Sequence, residues 1–191
     1  MDMSAETTNM TFNTEWNSAY DFSNAENLAV IQAVERYSLK DDLATYEAGE
    51  QINSPWGSNQ VLEISENEQG QEICTKEIIV NPKQMLSLQR HRGRAEKWAV
   101  QHGTLTVILD GQRHDVEAGD SIEIPLGSVH CMINLTNKAV SVIETQTGIC
   151  REKDNIRLCD LTGRATYPLT TELEYNSVKI YQDIAREIRK D

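Results

Sequence analysis

Gly119-Asp-Ser-Ile-Glu-Ile-Pro125-Leu-Gly127-Ser-Val-His130-Cys-Met-Ile-Asn134 is the stretch whose reading decides the fold. Ser121-Ile-Glu-Ile alternates polar and apolar residues, the period of a half-buried strand. Gly119 and the Pro125-x-Gly127 pair punctuate it, because glycine supplies turn conformations and proline cannot continue a ladder. His130 is thereby delivered at the head of another strand. A companion stretch lies upstream: Lys83-Gln-Met-Leu-Ser-Leu-Gln89-Arg-His91-Arg-Gly-Arg94-Ala-Glu96, running on to Gly103. Residues two apart on a strand share a face, so Gln89 and His91 can look into one interior. Glu96 opens the next strand after a short turn, which returns its carboxylate beside them. Taken alone, each histidine reads as an ordinary half-buried side chain and Glu96 as a surface carboxylate. Agreement in spacing between two separate segments favours convergence of Gln89, His91, Glu96 and His130 on one divalent metal ion. His102 and His114 fall outside the pattern and are expected at the surface.

Outward from these segments, the chain from about residue 60 is a series of short Val-, Ile- and Thr-rich runs separated by polar or glycine-bearing turns. That texture predicts an all-β sandwich or barrel. Strands are expected near 60–66, 72–80, 84–90, 96–101, 104–110, 112–117, 120–124, 129–134 and 139–147. Asp110-Gly111 is a strong hairpin signal, both residues tolerating positive φ. Spacing of this kind predicts a jelly roll. Ser23 and Glu26 match a capping box ahead of Val30, Val34 and Tyr37, so a helix is expected over 24–37. A second is expected over 170–189, where Ile180, Ile184 and Ile188 recur at four-residue spacing beside Tyr181 and Ala185. The expected organisation is an acidic arm and helix (1–50), a barrel domain (51–165) and a C-terminal helix packed on the barrel (166–191).

The formal net charge of −12 argues against nucleic acid or anionic membrane partners. Its distribution is uneven: residues 1–72 hold fourteen Asp or Glu against only Arg36 and Lys40, and the remainder is balanced. Arg90, Arg92, Arg94 and Lys97 cluster in eight residues, either a solvated run or a means of drawing a small anion to one spot. No apolar run approaches membrane-spanning length and the N-terminus lacks signal-peptide character, so a cytoplasmic location is expected. Cys74, Cys131, Cys150 and Cys159 show neither CxxC spacing nor the density of a disulfide scaffold, and read as free packing thiols.

The two histidine-bearing segments resemble the paired motifs of cupins. The second agrees at every fixed position; the first has Lys83 where glycine is usual and Gln89 where histidine is usual. An amide oxygen is a weaker, neutral ligand, so the bound ion should stay more Lewis acidic. The donor set fits zinc, manganese, iron, cobalt or nickel, with zinc the first choice. The resemblance implies an all-β cupin jelly-roll barrel flanked here by N- and C-terminal helices.

Pro55 to Arg164 is similar, more closely, to the cupin domain of type II mannose-6-phosphate isomerases. The similarity is carried by Pro55-Trp56-Gly57, Lys76 with Ile78-Ile-Val, Leu86-Ser-Leu-Gln89, Arg94-Ala-Glu96 with Trp98, Ile143-Glu144-Thr-Gln146-Thr-Gly148, and Glu152 to Arg157 followed by Asp160 and Gly163-Arg164. It implies reversible conversion of mannose 6-phosphate and fructose 6-phosphate. The pyrophosphorylase domain that often precedes such cupins has no counterpart in the acidic segment, so nucleotide-sugar synthesis is not expected. Proton transfer between C1 and C2 needs charge stabilisation and a base. Strand parity puts Glu144 and Gln146 on one face and Lys76 on the face of Ile78. Glu144 is accordingly the candidate base and Lys76 a catalytic or phosphate contact. Gln146 is a further candidate for substrate binding. Arg94, between two metal ligands, is the leading catalytic and phosphate-binding arginine, joined by Arg157 and Arg164, which could instead pair with Asp154 and Asp160. Trp98 shares the face of Glu96 and reads as a pocket wall or a core residue. The expected partner is a small-molecule sugar phosphate, and the expected assembly a homodimer. The family's histidine-rich run reads here Arg90-His91-Arg92-Gly93-Arg94, with Lys97 after Glu96. A non-catalytic sugar-phosphate-binding cupin is therefore the alternative, and a metal-dependent oxygenase the third reading.

Overall fold

The computed structural model describes residues 46–165 and 167–190. The helix expected over 24–37 lies outside the described residues. Among those described, the strands run β1 (Gln51–Ser54), β2 (Gly57–Glu66), β3 (Glu72–Val80), β4 (Gln84–Met85), β5 (Leu88–Arg90), β6 (Arg94–His102), β7 (Thr104–Leu109), β8 (Gln112–Glu117), β9 (Ser121–Ile124), β10 (His130–Asn134), β11 (Val140–Gly148) and β12 (Ile156–Cys159). They form two antiparallel sheets, ordered β1-β2-β3-β11-β6-β9 and β12-β5-β10-β7-β8, with β4 also on β10. Neighbours distant in sequence lie side by side, the crossover pattern of a jelly roll.

Three differences from expectation have local causes. The expected strand 84–90 is broken into β4 and β5, and across the break Leu86 donates its N–H to the Met132 carbonyl at 3.0 Å. β1 and β12 were not anticipated: each is only four residues long and sits at the edge of its sheet. Lys83, standing where the motif has glycine, takes φ of 55°. The left-handed turn is thus kept by a residue with a Cβ, at the steric cost that glycine avoids. The Asp110-Gly111 hairpin forms as expected, with φ of 47° and 74°.

Strand parity positions the site. On β3 the buried residues are Cys74, Lys76, Ile78 and Val80; on β6, Arg94, Glu96, Trp98 and Val100; on β11, Val140, Val142, Glu144 and Gln146 share one face, with Ser141 buried on the other. Register lines them up in rows across the sheet, Lys76 beside Glu144 beside Trp98 and Cys74 beside Gln146 beside Glu96. One end of each strand thus contributes to an apolar core with Ile78, Val80, Val100, Val140, Val142, Leu105, Val107 and Met132. The other end lines a polar interior.

Helix α1 (Glu172–Ile188) follows, opened by a capping box between Thr171 and Glu174. Tyr181, Ile184 and Ala185 are buried with Met85, Leu88, Ile108, Ile133, Ile156 and Leu158, while Ile180 and Ile188 are half-buried at the margin. Tyr181 Oη donates to the Leu86 carbonyl at 3.1 Å. Glu174 also receives Arg90 Nε at 3.3 Å, tying the helix start to the strand that precedes His91. All four cysteines are free, Cys159 half-buried and the others buried. Among the described residues, no helix is long and apolar enough to cross a membrane.

Candidate metal centre and its cavity

His91, Glu96 and His130 meet inside the barrel, each buried, with one ligand atom apiece all within 4.8 Å of one another. His91 Nε2 lies 3.0 Å from Glu96 Oε1 and 3.2 Å from His130 Nε2, and His130 Nε2 lies 3.8 Å from Glu96 Oε2. His91 Nδ1 faces the Asp154 carbonyl at 3.3 Å, and His130 Nδ1 faces the Ser128 carbonyl at 2.9 Å. A carbonyl accepts and never donates, so each Nδ1 carries the proton and each Nε2 presents a lone pair. Two such lone pairs at 3.2 Å repel unless positive charge lies between them. Donors on an ion at about 2.1 Å are separated by about 3.0 Å in octahedral and about 3.4 Å in tetrahedral geometry. The 3.0 and 3.2 Å separations fall in that range and the 3.8 Å one is wider, so the donor set of two imidazoles and a carboxylate fits a divalent ion with a small closing of His130 on Glu96.

Gln89 is held on β5 directly opposite His130 on β10 and lines the adjoining cavity; its Oε1 accepts from Ser87 Oγ at 3.0 Å. The structure therefore brings three of the four expected ligands into contact and sets the fourth on the neighbouring strand. His102 is exposed as expected; His114 is half-buried on β8 and is not part of the metal-ligand group.

The electrostatics follow from burial and partners. Burial alone would raise Glu96, but its close contact with His91 and the Arg94 guanidinium hold its carboxyl well below the usual range. Burial pushes His130 down to about 4, so its imidazole is neutral and able to bind metal. Glu144 goes the other way, raised to about 8 by burial and by the negative charge of Glu96 against the opposing pull of Lys76 and Arg94. Its Oε2 accepts from Gln146 Nε2 at 2.8 Å.

Arg94 is buried beside the ligands rather than standing free at an opening. Its Nε donates to Glu96 Oε1 at 2.9 Å, Nη1 to the Arg151 carbonyl at 2.9 Å, and Nη2 to Asn155 Oδ1 at 3.0 Å and His91 Nε2 at 3.2 Å. Trp98 is a core residue, 2% exposed, that donates Nε1 to Glu96 Oε2 at 3.1 Å and meets His130 edge-on at 5.4 Å. Lys76, Glu144, Gln146, Arg157 and Arg164 all line the cavity with Gln89, Arg94 and Glu96. Arg157 pairs with Glu152 at 2.9 Å rather than with Asp154, and exposed Arg164 pairs with Asp160 at 2.8 Å, as the alternative reading anticipated.

Several residues in and behind the cavity are not among the site candidates that the sequence singles out. The Lys76 ammonium sits 3.3 Å above the centre of the Tyr46 ring, and Tyr46 Oη donates to Glu152 Oε2 at 3.1 Å. Glu152 also receives Asn155 Nδ2 at 2.8 Å, so Tyr46, Glu152, Asn155 and Arg157 form one connected wall. Asp154, within a 3-10 turn at Glu152–Asp154, is fully buried and accepts the backbone N–H groups of Arg92 at 2.8 Å and Gly93 at 3.0 Å. Arg94 Nη1 lies 3.6 Å from it. This carboxylate holds the turn between His91 and Glu96. The turn also passes close to Gly148, where a Cβ would stand 2.3 Å from the Gly93 carbonyl oxygen. Asp154→Ala would leave two half-buried N–H donors and a share of the buried Arg94 charge unmet, a loss of about 3 kcal/mol. In a chain of this size that is a fall in Tm of roughly 6–12 °C. A calorimetric melt within about 2 °C of the parent would remove Asp154 from this role.

Residues 40–160 match the family described as Mannose-6-phosphate isomerase C-terminal. Mannose-1-phosphate guanylyltransferase of Escherichia coli K12 is 35% identical over 115 residues, 60% of this chain and 23% of that protein. Alginate biosynthesis protein AlgA of Pseudomonas aeruginosa is 35% identical over 119 residues, 62% of this chain and 24% of that protein. The chain thus spans about a quarter of the length of the curated relatives it matches. Among solved structures, an RmlC-like cupin from Shewanella frigidimarina aligns at a TM-score of 0.46 and 19% identity, covering 59% of this chain and 96% of that one. A cupin-superfamily sugar phosphate isomerase from Silicibacter pomeroyi aligns at 0.42 and 19%, covering 51% and 70%.

Proposed function

This chain belongs to the mannose-6-phosphate isomerase C-terminal family, and from that membership we propose that its cupin barrel interconverts an aldose 6-phosphate and a ketose 6-phosphate, mannose 6-phosphate and fructose 6-phosphate first among them. The observation that carries the reading is Glu144, a buried carboxyl raised to about 8, joined through Gln146 to the ligand carboxylate Glu96 in one cavity. A general base for abstraction next to a carbonyl is most effective when its pKa is drawn towards the working pH.

His91, Glu96, His130 and Gln89 would hold a divalent ion, zinc first, whose positive charge stabilises the negative charge that develops on a substrate oxygen. Glu144 takes the proton from C2 as the C2–H electron pair forms the C1–C2 double bond and the C1 carbonyl electrons move to O1. Return of that proton to C1, with transfer of the O2 proton to O1, leaves the ketose and regenerates the carboxylate. Arg94 orients Glu96 and His91 through its bonds to both, which makes it a positioning residue for the metal ligands. Lys76 and Arg157, on the wall built by Tyr46 and Glu152, supply positive charge for the phosphate, and Arg164 adds to it from the exposed side. Lys97 pairs with Glu123 at 3.1 Å and Arg90 with Glu174, so these departures from the family's histidines fall outside the cavity lining.

Arg94 also favours a second reading, a sugar-phosphate-binding cupin without turnover, since its buried guanidinium already gives His91 and Glu96 a cationic partner. Metal-stripped protein reconstituted separately with zinc, manganese, cobalt and iron separates the two. With mannose 6-phosphate in D₂O, isomerisation should produce fructose 6-phosphate accompanied by deuterium exchange at the transferred position. Affinity for the sugar phosphate with no exchange under any metal would establish the binding protein instead.

A further inference from the structure

Gln146 is 2% exposed and lines the cavity, yet its Oε1 has no hydrogen-bond partner. The opposite end of the same amide is fully engaged, Nε2 donating to Glu144 Oε2 at 2.8 Å and to Glu96 Oε1 at 3.4 Å. The flipped amide would set its oxygen against the ionised carboxylate of Glu96, which favours this orientation. A buried acceptor left unmet bears its whole desolvation cost, so a native site that keeps one has a use for it.

We infer that Gln146 is the specificity-determining residue of the cavity, its Oε1 accepting a hydrogen bond from the sugar hydroxyl on the carbon next to the reacting pair, O3 of a hexose phosphate. The inference rests on the sugar-phosphate reading given above. An amide oxygen only accepts, so it recognises a donor; two neighbouring carboxylates keep phosphate away from it. The amide touches the ligand carboxylate Glu96, so when C1 and C2 lie at the metal ligands the next hydroxyl along the chain is the one within its reach. Epimers and deoxy sugars at that carbon are discriminated because they leave Oε1 unmet, a larger penalty than the loss of an exposed contact.

Calorimetric titration of the purified, zinc-supplied protein with mannose 6-phosphate and with its 3-deoxy analogue tests this without reference to turnover. The parent protein should bind the deoxy analogue about tenfold more weakly, the scale of one neutral hydrogen bond. Gln146→Met keeps the length of the side chain and deletes the acceptor, and should bring the two affinities within about twofold. Equal affinities for the two ligands in the parent protein would overturn the inference, and so would a tenfold preference that survives in Gln146→Met. Both outcomes leave the proposed function standing. Absence of any binding of mannose 6-phosphate by the parent protein would overturn the inference together with that function. The comparison of ligands on the parent protein needs no variant to fold.

Discussion

Glu144→Gln is expected to lower kcat for mannose 6-phosphate isomerisation by about 10²–10⁴, the usual contribution of a positioned base, while sugar-phosphate affinity changes by less than about threefold. The substitution keeps the side chain's shape and a carbonyl oxygen to accept from Gln146, but removes the group that can carry the C2 proton. The parent protein should also show an acid limb in this activity. The carboxyl must be ionised to act, so the rate is lost as pH falls through its pKa. Burial and the Glu96 charge hold that pKa above the ordinary value of 4.5, to about 8 in the protein without metal, and a bound cation draws it back down. The limb therefore belongs above pH 4.5 and no higher than about 8. A variant with kcat within threefold of the parent, or a parent profile flat from about pH 4.5 to 8, would show that another group carries the proton.

His91→Ala is expected to weaken zinc binding by more than about a hundredfold, because even residues that merely support a ligand cost 10–100-fold. His114→Ala, on a strand away from the ligand group, should leave zinc affinity unchanged. The same contrast should appear in melting. Zinc at a hundred times its Kd adds about 2.7 kcal/mol to the parent protein, and the shift should vanish in His91→Ala. A bound ion would also relieve the repulsion of two facing lone pairs, so its removal from loaded protein should loosen His91 and His130 first. Titration with equal zinc affinity in His91→Ala and the parent would place the ion elsewhere. Retained affinity in that variant with loss in His114→Ala would move it to β8.

The departures from the family's histidines at 90, 92 and 97 gain a physical meaning from these positions. Arg90 reaches the capping residue of α1, Lys97 reaches Glu123 on the neighbouring strand, and Arg92 lies with Asp154 at the turn. The basic cluster that suggested an anion trap is therefore spread over the outside of the turn. Only Arg94 of that group reaches the interior, where its charge serves Glu96. The cationic side of the cavity comes instead from Lys76 and Arg157, one on each sheet.

The convergence of His91, Glu96 and His130, the inward direction of Lys76, Glu144 and Gln146, and the double-sheet architecture were all legible before any coordinates. Each depends on alternation along a single strand or on a turn residue beside it, which are local properties. Tyr46, Asp154 and Asn155 were not legible, nor was Glu152 as a wall of the cavity. Tyr46 lies 106 residues from its partner Glu152, and Asp154 lies 61 to 63 residues from the turn it holds. β1 and β12 also escaped, being short edge strands whose pairing outweighs a weak pattern of their own.

What the residues determined by themselves, then, was which side chains turn inward and which two segments bear the candidate metal ligands, because a strand's period of two fixes its faces without help from elsewhere. Only the tertiary structure decided which inward residues meet: Gln146 beside Glu96, Lys76 over Tyr46, Arg94 against the ligands instead of free for phosphate. Those meetings depend on register and on long-range connections, which are set by packing the two sheets as a whole and not by any one segment.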